Sequence, residues 1–368
     1  MEQRRPAAMA WMEWTFIHSA SPPYGMGRSA HESSIYILFP LFDGVPMQEK
    51  FRSHRNHGWG RRIDFAGFRA IKSAFRKGSF GTQASYAARW RRFSQFCWDK
   101  GVKNLQKESE IELLEEYATY CSSLVQEGRM SVHYAHDLIS AVNVVFSEMR
   151  GDDKVRVSPS EWFGKRCYLR KNAPNSLELE VVESVVEDLV AHGMRRAAAV
   201  FRLCRYFGLR REEATKADLI RWKKEIKRGY VNIQEGTKGG RRAKRVIKCG
   251  EREKEILSLV MREKPEESRN MMRPGETYWE FAIGPQSEIV RARAILHRHG
   301  VPDYKDARAA YACDRYHALS GYDAPVILGE TMADRDTDLG ARQQVAVELG
   351  HGRSSVVVAY LGGIRRNV

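Results

Sequence analysis

Five short segments in the second half of the chain bring together arginine, lysine, histidine and tyrosine. They are Gly208–Ala214, Thr237–Gly240, Asp306–Arg308, Leu349–His351 and Tyr360–Gly362. The first three residue types donate hydrogen bonds to phosphate oxygens, and a tyrosine hydroxyl can act as a nucleophile. The phosphate loop of nucleotide hydrolases, the zinc-protease helix motif and the serine elbow of esterases do not occur in the sequence. Any chemistry therefore rests on these five segments.

In their order these segments resemble the motif boxes of the tyrosine recombinases, the phage-integrase family. The nine-residue step from His351 to Tyr360 is the family's usual spacing between its histidine and its nucleophile. The resemblance extends from about Leu177 to the C-terminus, and the helical stretch before it resembles the family's core-binding domain. Gly208–Ala214 followed by Thr237–Gly240 is most similar to the integrases of integrative elements.

The resemblance implies catalytic roles for six residues: Arg210, Lys238, Lys305, Arg308, His351 and Tyr360. Tyr360 would attack a DNA phosphate and form a 3′-phosphotyrosyl link. Arg210 and Arg308 would hold the non-bridging oxygens, because a guanidinium is a permanently charged planar fork. His351 would add a third donor, and Lys238 would protonate the departing 5′-oxygen. No metal and no other cofactor is expected, since the covalent link keeps the phosphodiester energy.

Other charged residues are expected to support the site or to bind DNA. Glu213 is expected to orient Arg210 through a charge-assisted hydrogen bond, and Arg211 beside it is interpreted as a surface contact. Backbone phosphates are the predicted partners of Arg89, Arg91, Arg92, Arg170, Lys171, Arg241, Arg242 and Lys244. For each of these the alternative is an ordinary solvated surface charge.

Two features depart from the family pattern. Lys305 stands three residues before Arg308, where the family usually has a histidine that orients or deprotonates the tyrosine. A lysine can donate to a phosphate oxygen but, being protonated at neutral pH, cannot act as a base. Reduced activity is therefore expected, and a decayed integrase that only binds DNA remains an alternative. Only Leu361–Val368 follow the tyrosine, so subunits are expected to interlock through another element.

The resemblance also implies partners. Double-stranded DNA carrying attachment sites would be the substrate, and a homotetramer would assemble on two such sites. A directionality factor or a host DNA-bending protein is a further expected partner. A monomeric enzyme like the type IB topoisomerases would share this chemistry without the assembly, and it stays open as a third interpretation.

The composition favours a polyanionic partner. The 368 residues contain 61 Lys and Arg against 46 Asp and Glu, a formal net charge of +15. Basic residues dominate 50–92, with twelve against one acid, and 223–248, with ten against two. No apolar stretch is long enough for a membrane span, and the N-terminus lacks the apolar region of a secretory signal. A cytoplasmic protein of the bacterial nucleoid, without membrane or metal, is therefore expected.

The elements that must position these residues follow from the pattern of apolar side chains. Three amphipathic helices are predicted between Thr82, as the first cap, and Gly151, and two short strands at 230–234 and 245–248. The fold class is mainly α with a small β-sheet, a helical SAM-like core-binding domain preceding a tyrosine-recombinase catalytic domain. The predicted divisions are an irregular extension (1–46), a basic arm (47–80), the core-binding domain (81–151), a linker (152–176) and the catalytic domain (177–368). A change of composition at Met47 suggests that translation begins there.

Overall fold

The computed structural model describes residues 55–75, 79–237 and 245–363. The chain divides into two compact units, residues 1–166 and 167–368. The division between Arg166 and Cys167 falls inside the stretch that the sequence predicts to be a linker. The predicted extension 1–46 and the Met47 start lie outside the described residues.

Helices around an aromatic core form the described part of the first unit. They are α1 (Ile63–Ala74), α2 (Phe80–Asp99), α3 (Glu110–Gln126), α4 (Val132–Arg150) and the short α5 (Pro159–Phe163). Trp90 and Phe93 of α2 are fully buried against Phe146 of α4, and the ring centroids of Phe93 and Phe146 are 5.7 Å apart. The predicted apolar stripes of α2, α3 and α4 therefore face the core, because burial of large aromatic side chains stabilises this packing.

The segment predicted as a basic arm contains a core helix. Ile63, Ala66, Ala70 and Ile71 of α1 are buried against the first unit's core. Their spacing of three and four residues is that of an amphipathic helix, and the many arginines and lysines of the segment obscured it.

Two further details of the first unit differ from the sequence prediction. Helix α2 begins at Phe80 and has Ser79 at its N-cap position, so the predicted cap Thr82 was wrong. The predicted linker begins as part of the core, since Val155 and Val157 are buried there. Asn143 of α4 donates to the Val157 carbonyl, 2.9 Å away, and thereby holds the segment in place.

The second unit contains more helices and a two-stranded sheet. Its helices are α6 (Leu179–Ala191), α7 (Arg195–Phe207), α8 (Arg211–Lys216), α9 (Leu219–Glu225), α10 (Glu251–Arg262), α11 (Glu288–Arg298), α12 (Tyr304–Ser320), α13 (Pro325–Leu328), α14 (Arg335–Glu348) and α15 (Val358–Leu361). Strands β1 (Tyr230–Asn232) and β2 (Val246–Lys248) pair antiparallel, with Val231 opposite Ile247. Both predicted strands are present, each shorter than predicted.

Helix α7 is the central element of the second unit. Its residues from Arg196 to Phe207 are buried with the exception of Arg202, and it packs against α6, α10 and α12. Because the first arginine segment follows α7 directly and the second lies on α12, this packing brings the two segments together.

The predicted class, mainly α with a small β-sheet, is confirmed. In the part of the chain that the structure describes, no helix has both the length and the hydropathy needed to cross a membrane.

Candidate active site

A buried glutamate organises the first arginine segment. Gly208 ends α7 in the left-handed conformation (φ +59°), and a Cβ there would meet the Tyr311 ring at 2.3 Å, so only glycine fits. The chain then enters α8, where Glu213 accepts from the Arg210 main-chain N–H at 2.7 Å and from its guanidinium at 2.6 Å. Glu213 thus fixes both the main chain and the side chain of Arg210.

Glu213 also contacts two further guanidinium groups. Its Oε2 lies 2.9 Å from Arg245 and 3.4 Å from Arg308. Burial raises the pKa of a carboxyl group, but the charges of Arg245, Arg308 and Arg210 outweigh this effect and hold the pKa of Glu213 below its usual value. One carboxylate therefore faces three cations, which leaves the cluster with an excess of positive charge.

Arg308 of α12 is fully buried at the centre of the site. Its two shortest hydrogen bonds, each 2.6 Å, go to the main-chain carbonyls of Gly208 and Leu349. Its other contacts are longer, at 3.3 Å to the Tyr360 hydroxyl and 3.4 Å to His351 Nε2 and to Glu213. Burial lowers the pKa of Arg308 to about 10, so the group remains charged at neutral pH.

The lengths of these contacts indicate how the site can take a phosphate. The carbonyl bonds anchor the guanidinium, whereas contacts of 3.3–3.4 Å lie beyond the usual 2.7–3.2 Å range of protein hydrogen bonds. A phosphate oxygen accepts charge-assisted bonds from arginine at about 2.7–2.9 Å. An anion can therefore exchange with the long contacts while the two carbonyls keep Arg308 in position.

His351 faces Arg308 as a hydrogen-bond acceptor. An arginine can only donate, so His351 Nε2 must be unprotonated when it contacts Arg308 at 3.4 Å. Burial, followed by the charges of Arg308 and Arg210, lowers the pKa of His351 to about 4. The imidazole is thus neutral at pH 7 with its proton on Nδ1, and its predicted role as a donor would use that nitrogen or a protonated ring.

Tyr360 lies on the short helix α15 with its hydroxyl next to Arg308. Its side chain is buried, and the Arg308 guanidinium carbon lies 5.5 Å from the centre of its ring. Two sets of hydrogen bonds to main-chain carbonyls hold the helix and the residues that follow it. The Arg170 main-chain N–H donates to Val358 O at 3.0 Å, and the Arg342 guanidinium donates to the carbonyls of Gly362 and Gly363. The tyrosine is therefore positioned by elements on both sides of it.

Arg245 is a site residue that the sequence interpretation missed. It was read as the first residue of a strand, but its buried guanidinium donates to Glu348 O at 2.5 Å and to Gly208 O at 3.3 Å. It thereby links β2 to both the first arginine segment and the end of α14. A basic residue at the start of a short strand was the only sequence signal, and nine further basic residues between 223 and 248 concealed it.

The strand-connecting loop leaves β1 beside the same cluster. Gly236 has φ +68°, and a Cβ there would approach Glu212 O to 2.6 Å. The backbone of the loop is therefore in close contact with α8. Lys238, the predicted general acid, and the predicted DNA contacts Arg241, Arg242 and Lys244 lie outside the described residues.

A cavity of about 460 Å³ opens over these residues. Arg210, Arg308 and Tyr360 line it, and so does the exposed Lys305, which the sequence places in the histidine position. Arg211 was interpreted as a surface contact, but it is half-buried and lines the cavity as well. The structure thus brings four of the predicted residues together with His351, which contacts Arg308.

The predicted DNA contacts in the described residues differ in their surroundings. Arg89 pairs with Asp137, Arg91 is half-buried and Arg92 is exposed. The Arg170 guanidinium pairs with the buried Asp306, which explains its position without DNA, whereas Lys171 is exposed. In the described part of the chain, no three His, Cys, Asp or Glu side chains form a group suited to a metal ion.

A buried tyrosine in contact with arginine thus lies at a cavity whose lining has an excess of positive charge, an arrangement that can bind an anion. The family model described as "Integrase" matches residues 168–270, which is 103 of the 368 residues, and agrees with the predicted resemblance over that segment. The match includes Arg210 and Lys238, whereas Arg308, His351 and Tyr360 follow it in the sequence.

Two solved structures are similar to this chain. XerA recombinase shares 12% identity at a TM-score of 0.34, over 82% of this chain and 94% of XerA. The XerH site-specific recombinase, bound to its difH substrate in a pre-cleavage complex, shares 13% identity at a TM-score of 0.45, over 86% of this chain and 88% of XerH. No curated protein matches the sequence.

Proposed function

We propose that this protein is a site-specific DNA recombinase of the tyrosine type, the integrase of a mobile element. The observation that carries the proposal is the contact of the buried Arg308 with both the Tyr360 hydroxyl, 3.3 Å away, and His351, 3.4 Å away. Arg210 lines the same cavity. A nucleophile and phosphate-binding donors therefore share one position, as strand cleavage requires.

In the proposed reaction, the Tyr360 oxygen attacks the scissile phosphorus. The Tyr360 hydroxyl releases its proton to solvent and its oxygen forms a bond to phosphorus. The bond from phosphorus to the 5′-oxygen breaks, and the product is a 3′-phosphotyrosyl link. Arg210 and Arg308 stabilise the charge on the non-bridging oxygens, and the charge of Arg308 also stabilises the phenolate as it attacks. Lys238 supplies the proton to the 5′-oxygen. Attack by a second 5′-hydroxyl reverses the step and joins the strands.

The proposed substrate is duplex DNA, and the charge of the chain supports this choice. A formal net charge of +15 favours binding to a polyanion. The proposed assembly is a homotetramer on two attachment sites. Sedimentation of the full-length protein with one short duplex site and with two joined sites would test it, and four chains are expected only when two sites are present.

The test of cleavage is a covalent trap with nicked DNA. The full-length protein is incubated with duplexes whose sequence around the nick is randomised, and adducts that survive denaturation are separated on a gel and sequenced. Wild-type protein should give adducts enriched in one sequence, and Tyr360→Phe should give none. Tyr322→Phe, which alters an exposed tyrosine, should match the wild type. Adducts that persist in Tyr360→Phe would exclude Tyr360 as the nucleophile.

The second candidate function is that of a decayed integrase that binds DNA without cutting it. Lys305 favours it, because this lysine lines the cavity where the family has a histidine. DNA binding without any adduct would support this candidate, and Lys305→His should then restore cleavage. Unchanged cleavage in Lys305→His would mean that the lysine does not limit the reaction. Relaxation of supercoiled plasmids without the enriched sequence would instead indicate a topoisomerase.

A further inference from the structure

The cavity is also lined by charged side chains that the proposed cleavage reaction does not use. Arg211 of α8, Arg293 of α11 and Lys305 of α12 line it together with Tyr278. The family resemblance gives no role to Arg211, Arg293 or Tyr278. Helix α8 and the two consecutive helices α11 and α12 therefore direct cationic side chains into one space.

These cations lack carboxylate partners. Within residues 55–75, 79–237 and 245–363, no ion pair joins Arg211, Arg293 or Lys305 to an acidic side chain, and the buried Nε of Arg293 has no hydrogen-bond acceptor. Two acids line the cavity, Glu212 and Asp303, and the charge of Asp303 acts on Arg211 without forming an ion pair with it. Glu212 pairs with Lys216, and Asp303 accepts from the main-chain N–H of Lys305 at 2.6 Å. A buried donor without a partner is costly, so an external anion is the acceptor that this geometry fits.

The two adjacent arginines of α8 point to different partners. Arg210 is bonded to Glu213 at 2.6 Å, whereas Arg211 donates from Nε to the Tyr278 hydroxyl at 3.3 Å. Their guanidinium groups are therefore held by separate parts of the fold. At about 460 Å³ the cavity lies within the range of sites that hold whole small molecules, about 300–1,000 Å³, and it exceeds what one phosphate group fills.

We propose that Arg211, Arg293 and Lys305 form a second phosphate subsite, which binds a phosphate one nucleoside away from the scissile one. The inference rests on the proposed function, because it assumes that Arg210 and Arg308 bind the scissile phosphate. Tyr278 positions Arg211 by accepting its Nε–H. Contacts to a neighbouring phosphate would fix the register of the strand over Tyr360, since phosphate contacts position a nucleic acid without reading its sequence.

The subsite can be tested with a small ligand that carries two phosphates and is not a substrate for strand cleavage. Thymidine 3′,5′-bisphosphate carries two phosphates at the spacing of one nucleoside, and thymidine 3′-monophosphate and 5′-monophosphate each carry one. Binding of all three to the full-length protein is measured by titration calorimetry at low salt. The wild type is expected to bind the bisphosphate at least tenfold more tightly than either monophosphate.

Variants assign this difference to the proposed residues. Arg293→Ala should reduce the affinity advantage of the bisphosphate to about twofold or less and leave the affinity for the more tightly bound monophosphate unchanged. Arg291→Ala, which removes an exposed arginine two residues earlier on α11, should retain the full advantage. Tyr278→Phe removes only the acceptor for Arg211 and should lower the affinity for the bisphosphate several-fold. If Arg293→Ala folds poorly, Arg293→Lys replaces it and should show a smaller loss of the bisphosphate advantage.

An equal affinity of the wild type for the bisphosphate and the monophosphates would overturn the subsite. An Arg293→Ala variant that loses affinity for the bisphosphate and for the monophosphates by the same factor would also overturn it. The result is separate from that of the covalent trap. Adducts without a bisphosphate advantage would remove the subsite and keep the recombinase. A bisphosphate advantage without adducts would keep the subsite in a protein that only binds DNA.

Discussion

Each of the two units contains a buried carboxylate surrounded by basic side chains, and the two clusters differ in their balance of charge. In the first unit, Glu110 contacts His57 and Arg150, and Arg150 has a second acidic partner in Asp152. In the second unit, Glu213 alone faces three arginines. The basic partners of Glu110, His57 and Arg150, retain 17% and 23% side-chain exposure. Two of the partners of Glu213, Arg245 and Arg308, retain only 5% and 2%, and its third partner, Arg210, retains 29%.

This difference separates a cluster that holds the fold from one that can bind an anion. Acids and bases around Glu110 are balanced and reach solvent, so no ligand is required to complete the cluster. The cluster around Glu213 keeps an excess of positive charge out of water, and removing charges from water is costly unless they are paired. The proposed phosphate would supply the missing negative charge, which makes affinity for the anion a direct result of the imbalance.

The largest expected effect comes from replacing the central carboxylate of each cluster, Glu213 or Glu110, by an amide. Glu213→Gln leaves the buried guanidinium groups of Arg245 and Arg308, and the partly exposed one of Arg210, without a counter-charge, and it should lower the free energy of unfolding by about 3–5 kcal/mol. It should also abolish adduct formation. Glu110→Gln has partners whose side chains are 17% and 23% exposed, and one of them, Arg150, keeps Asp152 as a second acidic partner, so the variant should cost about 1–3 kcal/mol. Urea unfolding and the covalent trap measure both effects, and equal losses of stability in the two variants would contradict the comparison.

A smaller effect is expected when the arginine beside each carboxylate becomes lysine. Arg245→Lys keeps the charge but loses the fork that joins Glu213 to Glu348 O and Gly208 O, so it should cost about 2 kcal/mol and slow cleavage about tenfold. Arg150→Lys should change stability by less than about 1 kcal/mol. Cleavage by Arg245→Lys at the wild-type rate would show that this linkage does not position the site.

The cluster in the second unit should also make stability depend on pH. The pKa of His351 is about 4 in the folded protein, below its ordinary 6.5. Between these values the unfolded chain binds more protons, so this contribution is complete above pH 6.5 and is lost as the pH falls toward 4. His351→Gln should flatten that part of the curve of unfolding free energy against pH. If His351→Gln leaves the slope of unfolding free energy against pH unchanged, a group other than His351 titrates in this range.

The smallest expected effect concerns the surface arginines of α2. Arg92 is exposed, so Arg92→Ala should leave stability unchanged. It should reduce the slope of the logarithm of the DNA-binding constant against the logarithm of the salt concentration by about one, the value of one phosphate contact. Arg89 pairs with Asp137, so Arg89→Ala should reduce that slope less. Binding of a labelled duplex at several salt concentrations measures the slope, and a greater reduction in Arg89→Ala than in Arg92→Ala would reverse this assignment.

Sequence patterns predicted the elements whose side chains repeat with a clear period. The apolar stripes of α2 and α4, the two strands and the left-handed Gly151 at the end of α4 all agree with the structure. The same approach failed for α1, because the arginines and lysines of the surrounding segment 50–92 obscured a stripe made partly of alanines. It also could not separate Arg245 from its basic neighbours, since a strand residue shows its partners only after the strands are paired.

The amino-acid sequence by itself determined the residue types of the site, their order along the chain and the excess of positive charge. Only the tertiary structure decided which of those charges are compensated. Arg170 pairs with Asp306, 136 residues away, whereas Arg308 shares Glu213 with two other arginines. The physical reason is that an ion pair depends on distance and burial. Both are set by the packing of α7 against α12, and neither can be read from spacing along the chain.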